Sequence, residues 1–594
     1  MKYNDRTFYK EVNEYTKKLK GKVENKVTFV IIDIKNKKAF YSLAPLSKAI
    51  HELNGDMHVI VKDGESQDLE VLKDVWYAYN DLTKKLKTKK VKALRGFIRS
   101  VNKRVGNRRF REIFKRPDIT LIAEKEHFCG TIDLKYEYRW HRVYRWKELL
   151  ETAKRIWREG YALKKGEKAS MGFVLVPAKK NMELPLEDYL DSYSIALALG
   201  VAAKKFKVKV SLGASTDRFS QLANSVRTAD LMATLKGCEL DKEVDEEVFK
   251  TFKELSKILK MDRLRFSDAA FGIHGKGYFG KHFFGENIGY PSLDKKTRWS
   301  SPGQLMLKDP YSPQTKFESR DPMMRYAVTE TLPIDIFIET CNIDYNKLRK
   351  KSDKVRDIFN KCEWVRVVGK QVDGYKSDFK VWLTDEKGNR RYFISSDCDV
   401  RSKIDQEYYR RMGVKAGAYA NFPSGEAFVT PEAVEGMMVG DVVINIDQSY
   451  VIPPNKPIVV YFDREKGYKI VRAPAKLRKE MGKQLSEGRE KIRNYKKYKS
   501  LPKEVIKIYS KNFKKVGEFA VNTNPKAKLC DYLIVNEKIA KMIHVALGLG
   551  FEPDRKTVYH WDIVVNAPRQ KLDIYGVDKK KKIHWVIKKG NLIV

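Results

Sequence analysis

The run Tyr559-His560-Trp561-Asp562-Ile563-Val564-Val565 places a histidine and an aspartate two residues apart among strand-forming residues. Side chains alternate across a strand, so His560 and Asp562 share one face and Trp561 takes the other. An imidazole and a carboxylate side by side suit either a hydrogen-bonded pair or two ligands of one metal ion. Three further segments carry similar donors. Asn421-Phe422-Pro423-Ser424-Gly425-Glu426 is a turn that ends on a carboxylate just ahead of the apolar Ala427-Phe428-Val429. Gly517-Glu518-Phe519-Ala520 sets a carboxylate in weakly polar surroundings near Asn522-Thr523-Asn524-Pro525. Glu537 and His544 stand seven apart, about two turns if that segment is helical. Glu, His and Asp without cysteine suit one or two hard-to-borderline divalent ions: Zn²⁺, Co²⁺, Mn²⁺ or Mg²⁺.

The elements that must position these groups fall into two regimes. In the first part of the chain, Val27 to Ile32 reads as a buried strand, Pro45 to Leu53 as a helix and Met57 to Val61 as a second strand, a βαβ unit. Strands over Ile119 to Ala123 and Gly172 to Val176, with helices over Trp146 to Glu159 and Leu186 to Ala203, extend the pattern to a doubly wound, mostly parallel α/β domain. No G-x-G-x-x-G follows the first strand, so the unit names no dinucleotide cofactor. Beyond a charged helix over Tyr345 to Lys361 the rhythm changes. Phe379 to Leu383 and Arg391 to Ile394 flank Asp385-Glu386-Lys387-Gly388-Asn389, a hairpin signal, and short strands follow at Val442 to Ile446, Ile458 to Phe462 and Lys469 to Arg472. The expected organisation is an N-terminal α/β domain over 1–360 and an antiparallel-β-rich α+β catalytic domain over 361–594.

Two stretches stand outside this scheme. Lys84 to Arg116 holds fifteen Lys/Arg and a single acid, Glu112, interspersed with apolar residues. It reads as a basic amphipathic helix or helical pair, either a solvated face over an apolar stripe or an anion-binding arm. Residues 271–325 alternate glycines with aromatics and then prolines, as in a long ordered loop or lid; Gly275-Lys276-Gly277 lacks phosphate-loop spacing. Residues 476–515 read as an exposed helical connection. His51, His58, His127, His141, His274, His282 and His584 have no ligand set beside them and are expected to be ordinary surface or core histidines.

Composition bounds the rest. A chain of 594 residues with 42% hydrophobic residues can bury sizeable cores and is too apolar for a disordered protein. Lys+Arg 119 against Asp+Glu 77 leaves +42, which favours anionic neighbours, although a thermophile surface has the same balance. Six cysteines without a C-x-x-C pair indicate a reducing compartment, and the longest apolar stretch, Ile195 to Ala203, is about half a membrane span, so a cytoplasmic protein that does not enter membranes is expected.

Four segments stand in the order and spacing of one family: P-S-G-E-x-F at Pro423 to Phe428, G-E-F-A-x-x-T-N-P at Gly517 to Pro525, N-E-K-I-x-x-x-x-H-x-A-L-G at Asn536 to Gly548, and H-W-D at His560 to Asp562. Together they resemble the thermophilic-type metallo-aminopeptidases, the aminopeptidase T and aminopeptidase S family. The similarity runs over about residues 335–594, including Cys341-Asn342-Ile343-Asp344-Tyr345, and is weaker over 1–330. It implies a two-metal exopeptidase that removes N-terminal residues from peptides, a homodimer, and metal ligands at Glu426, Glu518, His544, His560 and Asp562. Glu518 or Glu537 would be the carboxylate that takes and returns the proton. The family has a tyrosine seven residues after the first histidine where this chain has Phe551, so either a neighbour such as Tyr559 supplies the hydroxyl or the activity is altered; Phe551 and Tyr559 are the candidate substrate-binding residues. Two alternatives stay open: a nucleic-acid-binding protein that uses its basic surface, and an inactive homologue kept as a scaffold.

Overall fold

A computed structural model describes residues 3–24, 27–33, 37–53, 56–62, 119–123, 129–132, 144–160, 162, 169–174, 186–206, 209–213, 304–307, 323–326, 332–395, 398, 402–412, 419–446, 449–497, 503–530, 532–550, 552–555 and 557–594. The basic segment 84–116, most of 271–325 and Phe551 lie outside the described residues. The chain divides into two compact units: most of residues 1–338, and Glu339–Val594 together with Glu159–Tyr161 and Leu235–Glu239. The division falls between Ile338 and Glu339, ahead of the expected boundary at 360, so the helix Tyr345–Phe359 belongs with the second unit.

In the first unit, β1 (Val27–Asp33) and β2 (Asp56–Lys62) pair in parallel across the helix Lys37–Glu52, which runs through Pro45 rather than starting there. The doubly wound, mostly parallel sheet does not continue. β3 (Ile119–Ala123) pairs antiparallel with β1, and β4 (Cys129–Ile132) antiparallel with β3. β5 (Ala169–Val174) and β6 (Lys209–Gly213) are parallel, whereas β7 (Gln304–Leu307) and β8 (Met323–Tyr326) add antiparallel. A buried apolar run such as Ile119 to Ala123 has the same residue content whichever way it points, so strand direction is not readable from it. The architecture is thus mixed helix with predominantly antiparallel pairing, an α+β arrangement.

The second unit is built on two antiparallel sheets. One has the order β17-β16-β13-β10-β9-β21-β22-β23: β9 is Cys362–Val372, β10 Tyr375–Trp382, β13 Ala433–Gly440, β16 Ile458–Asp463, β17 Gly467–Arg472, β21 Asp573–Asp578, β22 Ile583–Lys588 and β23 Asn591–Leu592. The other has the order β12-β18-β19-β20-β14-β15: β12 is Glu426–Val429, β14 Val443–Asn445, β15 Ser449–Val451, β18 Val516–Asn522, β19 Met542–Gly548 and β20 His560–Asn566. β11 (Tyr419–Phe422) leads into the turn before β12. The hairpin signal at 385–389 is a tight turn after β10, closed by the Thr384–Arg390 bridge, but residues 391–394 contribute only the Ile394–Phe428 bridge and not a strand.

The two sheets share one apolar core. Val365, Val367, Phe379, Val381, Val460 and Phe462 come from the first; Ala427, Val429, Phe519, Val521, Ile543, Val545, Leu547, Trp561, Ile563 and Val565 come from the second. Phe519 meets Phe379 edge-on at 6.3 Å between ring centroids. Each such side chain contributes roughly 1.5–3 kcal/mol on burial, so this core fixes the register of the second sheet.

The helix Tyr345–Phe359 braces that sheet from its own unit. Its start is capped by Asp344, which accepts from Lys347 N–H, and its Ser352 hydroxyl lies 2.7 Å from the Thr523 hydroxyl at the end of β18. Near its end the buried Arg356 holds Asp353 (2.9 Å), Asp357 (2.8 Å) and the fully buried Asp405 (3.2 Å), and donates to Ser395. Breaking such a set leaves a buried carboxylate without its cation. Arg356→Met is expected to lower unfolding stability by about 3–5 kcal/mol; chemical denaturation of the full chain measures it, and a loss under about 1 kcal/mol contradicts this account.

Candidate metal centre

The same alternation that fills the core turns the intervening residues to the other face of the second sheet. Glu426 on β12, Glu518 on β18, His544 on β19, and His560 and Asp562 on β20 all stand on that face, out of phase with Ala427, Phe519, Val545 and Trp561. Cross-strand neighbours leave them room: Ala520 is opposite His544, Ala546 lies between Glu518 and Asp562, and Gly548 is opposite His560. Glu537 comes from the turn after the short helix Leu533–Asn536. The segment from Glu537 to His544 is not a two-turn helix. Lys541 adopts a left-handed φ of 67°, and His544 follows on an extended strand whose Val, Ala and Leu alternate between faces.

The five residues converge as two triads that share Glu518. Glu426, Glu518 and His544 form one, and Glu518, His560 and Asp562 the other; in each, one donor atom per residue lies within 4.8 Å of the others. Glu518 Oε1 is 3.2 Å from His544 Nε2, and Glu518 Oε2 is 4.0 Å from His560 Nε2. Glu426 Oε2 is 3.7 Å from His544 Nε2, and Asp562 Oδ1 is 3.1 Å from His560 Nε2. Glu426, His544 and Asp562 are buried, while Glu518 and His560 are half-buried and form the open side of the cluster.

Both imidazoles are turned by their second nitrogen. His560 Nδ1 is 2.7 Å from the carbonyl of Leu549, which can only accept, so Nδ1 carries the proton and the neutral ring presents a bare Nε2 to the carboxylates. His544 Nδ1 is 2.9 Å from Asn522 Oδ1, with the same consequence. Leu549 is itself clamped, its N–H bonded to Tyr559 O at 2.7 Å. A Cβ on Gly517 would stand 1.9 Å from Leu549 O, so glycine is required for β18 to pass beneath the carbonyl that orients His560. Gly425, at φ 140°, likewise brings the turn before Glu426 against Asn524, whose amide donates to Ser424 O at 2.8 Å.

The electrostatics are those of a site short of positive charge. Burial and the Asp562 carboxylate, with Glu426 and Glu518 behind it, push the Glu537 carboxyl well above the ordinary range even beside Lys538. Burial works against protonating His560, but Asp562 and Glu518 outweigh it and raise the ring to about 9; His544 rises in the same way through Glu518 and Glu426. Burial would raise Asp562, yet His560 and His544 hold it below the usual carboxylate range, and Glu537 hydrogen-bonds to it. Carboxylates around inward-facing imidazole lone pairs, each imidazole fixed from behind, fit one or two divalent cations.

The structure brings all five expected ligands and Glu537 together, but not Tyr559. That residue alternates onto the Trp561 side of β20; its buried hydroxyl donates to Phe513 O and lies 2.6 Å from the Tyr468 hydroxyl. Period 2 alone puts it opposite His560. Four contributors were not singled out from the sequence as site residues: Asn522 and the Leu549 carbonyl, which orient the rings; Asn524, which ties the Glu426 turn; and Lys538, whose Nζ is 2.5 Å from Glu426 Oε1. The Asn-Thr-Asn-Pro and Asn-Glu-Lys runs carried that signal for three of them. His584 pairs with Asp578 at 2.9 Å, an ordinary surface role, and Cys341, Cys362, Cys398 and Cys530 are free thiols. No helix among the described residues is long and apolar enough to cross a membrane.

No family model and no curated protein matches the chain. Among solved structures, wild-type AmpT from Thermus thermophilus is similar at 12% identity and a TM-score of 0.37, over 75% of this chain and 99% of that one. That likeness is loose; the chemistry of the site follows from its own side chains.

Asn522→Ala removes the oxygen that orients His544 and is expected to weaken divalent-metal affinity about 10–100-fold, read by calorimetric titration of the chelator-stripped chain. Asp562 and Glu518 raise the His560 ring to about 9 and ligation needs a bare Nε2, so ion uptake would expel the Nε2 proton. Affinity should therefore climb as pH rises toward 9 and level off above it. An affinity constant between pH 6 and 9 contradicts this assignment.

Proposed function

We propose that the chain is a metal-dependent aminopeptidase, hydrolysing the N-terminal residue from peptides at a dinuclear centre held by Glu426, Glu518, His544, His560 and Asp562. The observation that supports this reading is the pair of triads sharing Glu518, with both histidine Nε2 atoms turned inward. Divalent cations, when bound, supply Lewis acidity, which brings the pKa of water from about 15.7 to about 7 and polarises an amide carbonyl.

The protein's own groups do the rest. Glu518 offers one oxygen toward each histidine and would belong to the ligand set of both ions, which leaves Glu537 as the proton carrier. Glu537 belongs to neither triad and borders Asp562, so its carboxylate would be left uncommitted by the ions. It takes the proton from the attacking water and returns it to the departing amine nitrogen as the C–N bond breaks.

The purified chain should hydrolyse aminoacyl-p-nitroanilides when Zn²⁺, Co²⁺ or Mn²⁺ is supplied, and His560→Ala/Asp562→Ala should abolish the signal. Glu537→Gln should bind metal like the parent but lose about 10²–10⁴-fold in kcat. Equal rates in parent and double variant overturn the reading.

A further inference from the structure

Lys538 sits inside the cluster with only 1% of its side chain exposed. Lysine is almost never fully buried without a partner, and here Nζ is 2.5 Å from Glu426 Oε1 and 3.7 Å from Glu537 Oε2. The contact is built into the backbone. Lys538 N–H donates to Val535 O at 3.0 Å, and its carbonyl accepts from Asn524 N–H at 2.9 Å. The side chain of the same Asn524 holds Ser424 O, so one residue ties down both the lysine and the turn that presents Glu426.

With Oε1 facing the ammonium, Glu426 turns its other oxygen, Oε2, toward His544. The two triads therefore differ in charge. Glu426, Glu518 and His544 have two carboxylates against one ammonium. Glu518, His560 and Asp562 have two carboxylates, and among the described residues neither Asp562 nor Glu518 pairs with a lysine or arginine. A unit charge a few ångströms from a bound cation, in partly desolvated surroundings, shifts its affinity on the order of tenfold or more.

We infer that Lys538 makes the centre unequal: the Glu518–His560–Asp562 half takes up the first divalent cation, and the Glu426–Glu518–His544 half takes up the second more weakly because Lys538 already neutralises Glu426. This rests on the dinuclear reading above. The lysine acts through Glu426 rather than on substrate. It holds Glu426 in place while the weaker half is empty, so metal supply moves the protein between a one-ion and a two-ion form without disturbing the fold.

The test is a Co²⁺ titration of the chelator-stripped full chain, followed by heat and by visible d–d absorption. The parent should show two steps separated at least tenfold in Kd. Lys538→Met should tighten the weaker step at least tenfold and move the tighter step less than about threefold; Lys538→Arg should keep the separation. A lysine that merely supported the fold would, on removal, weaken both steps. Lys538→Gln retains a hydrogen-bond donor without the charge and serves where the methionine variant is poorly folded. Two equal steps in the parent, or a weaker step unmoved or loosened in both neutral variants, overturns the inference and leaves the dinuclear reading intact. One ion only in the parent and both neutral variants also overturns it. Failure of the parent to take up any Co²⁺ removes the dinuclear reading itself.

Discussion

Four carboxylate side chains gather at one face of a sheet, Glu426, Glu518 and Asp562 from its strands and Glu537 from a turn, with Lys538 as the cation built in among them. Ionised carboxylates taken out of water are tolerable only when positive charge is brought to them. Without a metal, protons fill the role: Glu537 and both imidazoles are held toward their protonated forms and Asp562 away from its own. Each of those protons marks a charge that a cation would replace, and the details of the site answer to that demand.

The demand is met by rigid means. Five of the groups hang from four strands whose opposite faces are locked in a continuous apolar core, so none can slip in register without carrying Phe519, Val545 or Trp561 out of that core. Small residues, Ala520, Ala546 and Gly548, keep space open between the donors. The ring orientations are set by a side-chain amide and a main-chain carbonyl, and Gly517 lets the strand pass close enough for that carbonyl to stay in place. The cluster thus sits on structure that is costly to deform, as a site would need in order to hold its donors at fixed separations.

Asn524 links this scaffold to its least regular part. Its side chain binds Thr340 O and Ser424 O and caps Lys526 N–H, while its backbone pairs with Lys538 and Ala540. The turn that delivers Glu426, the loop that delivers Glu537 and Lys538, and the end of β18 are therefore held by one buried amide residue. Irregular backbone at the centre of a domain is stable only where its polar groups find partners in this way.

How much of this was legible follows from the range of each signal. The alternation in His560-Trp561-Asp562, the Gly425 turn before Glu426, the tight turn at 385–389 and the two parallel strands of the opening unit are local patterns, and the chain adopts them where the sequence writes them. Strand direction in the first unit and the extended rather than helical path from Glu537 to His544 required the tertiary structure; the inward placement of Tyr559 did not. The first two depend on where distant strands already lie; the third is a parity that the H-x-D pattern itself implied. The ring-setting carbonyl of Leu549 leaves no mark in a sequence at all, because every residue has a carbonyl and only the approach of β18 and β20 gives this one a purpose. The sequence by itself determined which donors exist and that His560 and Asp562 share one strand face, since side-chain alternation is a property of a single strand. That two triads share one glutamate and that a lysine lies against only one of them was decided by the packing of strands far apart in the chain, since distances between strands are set by the core.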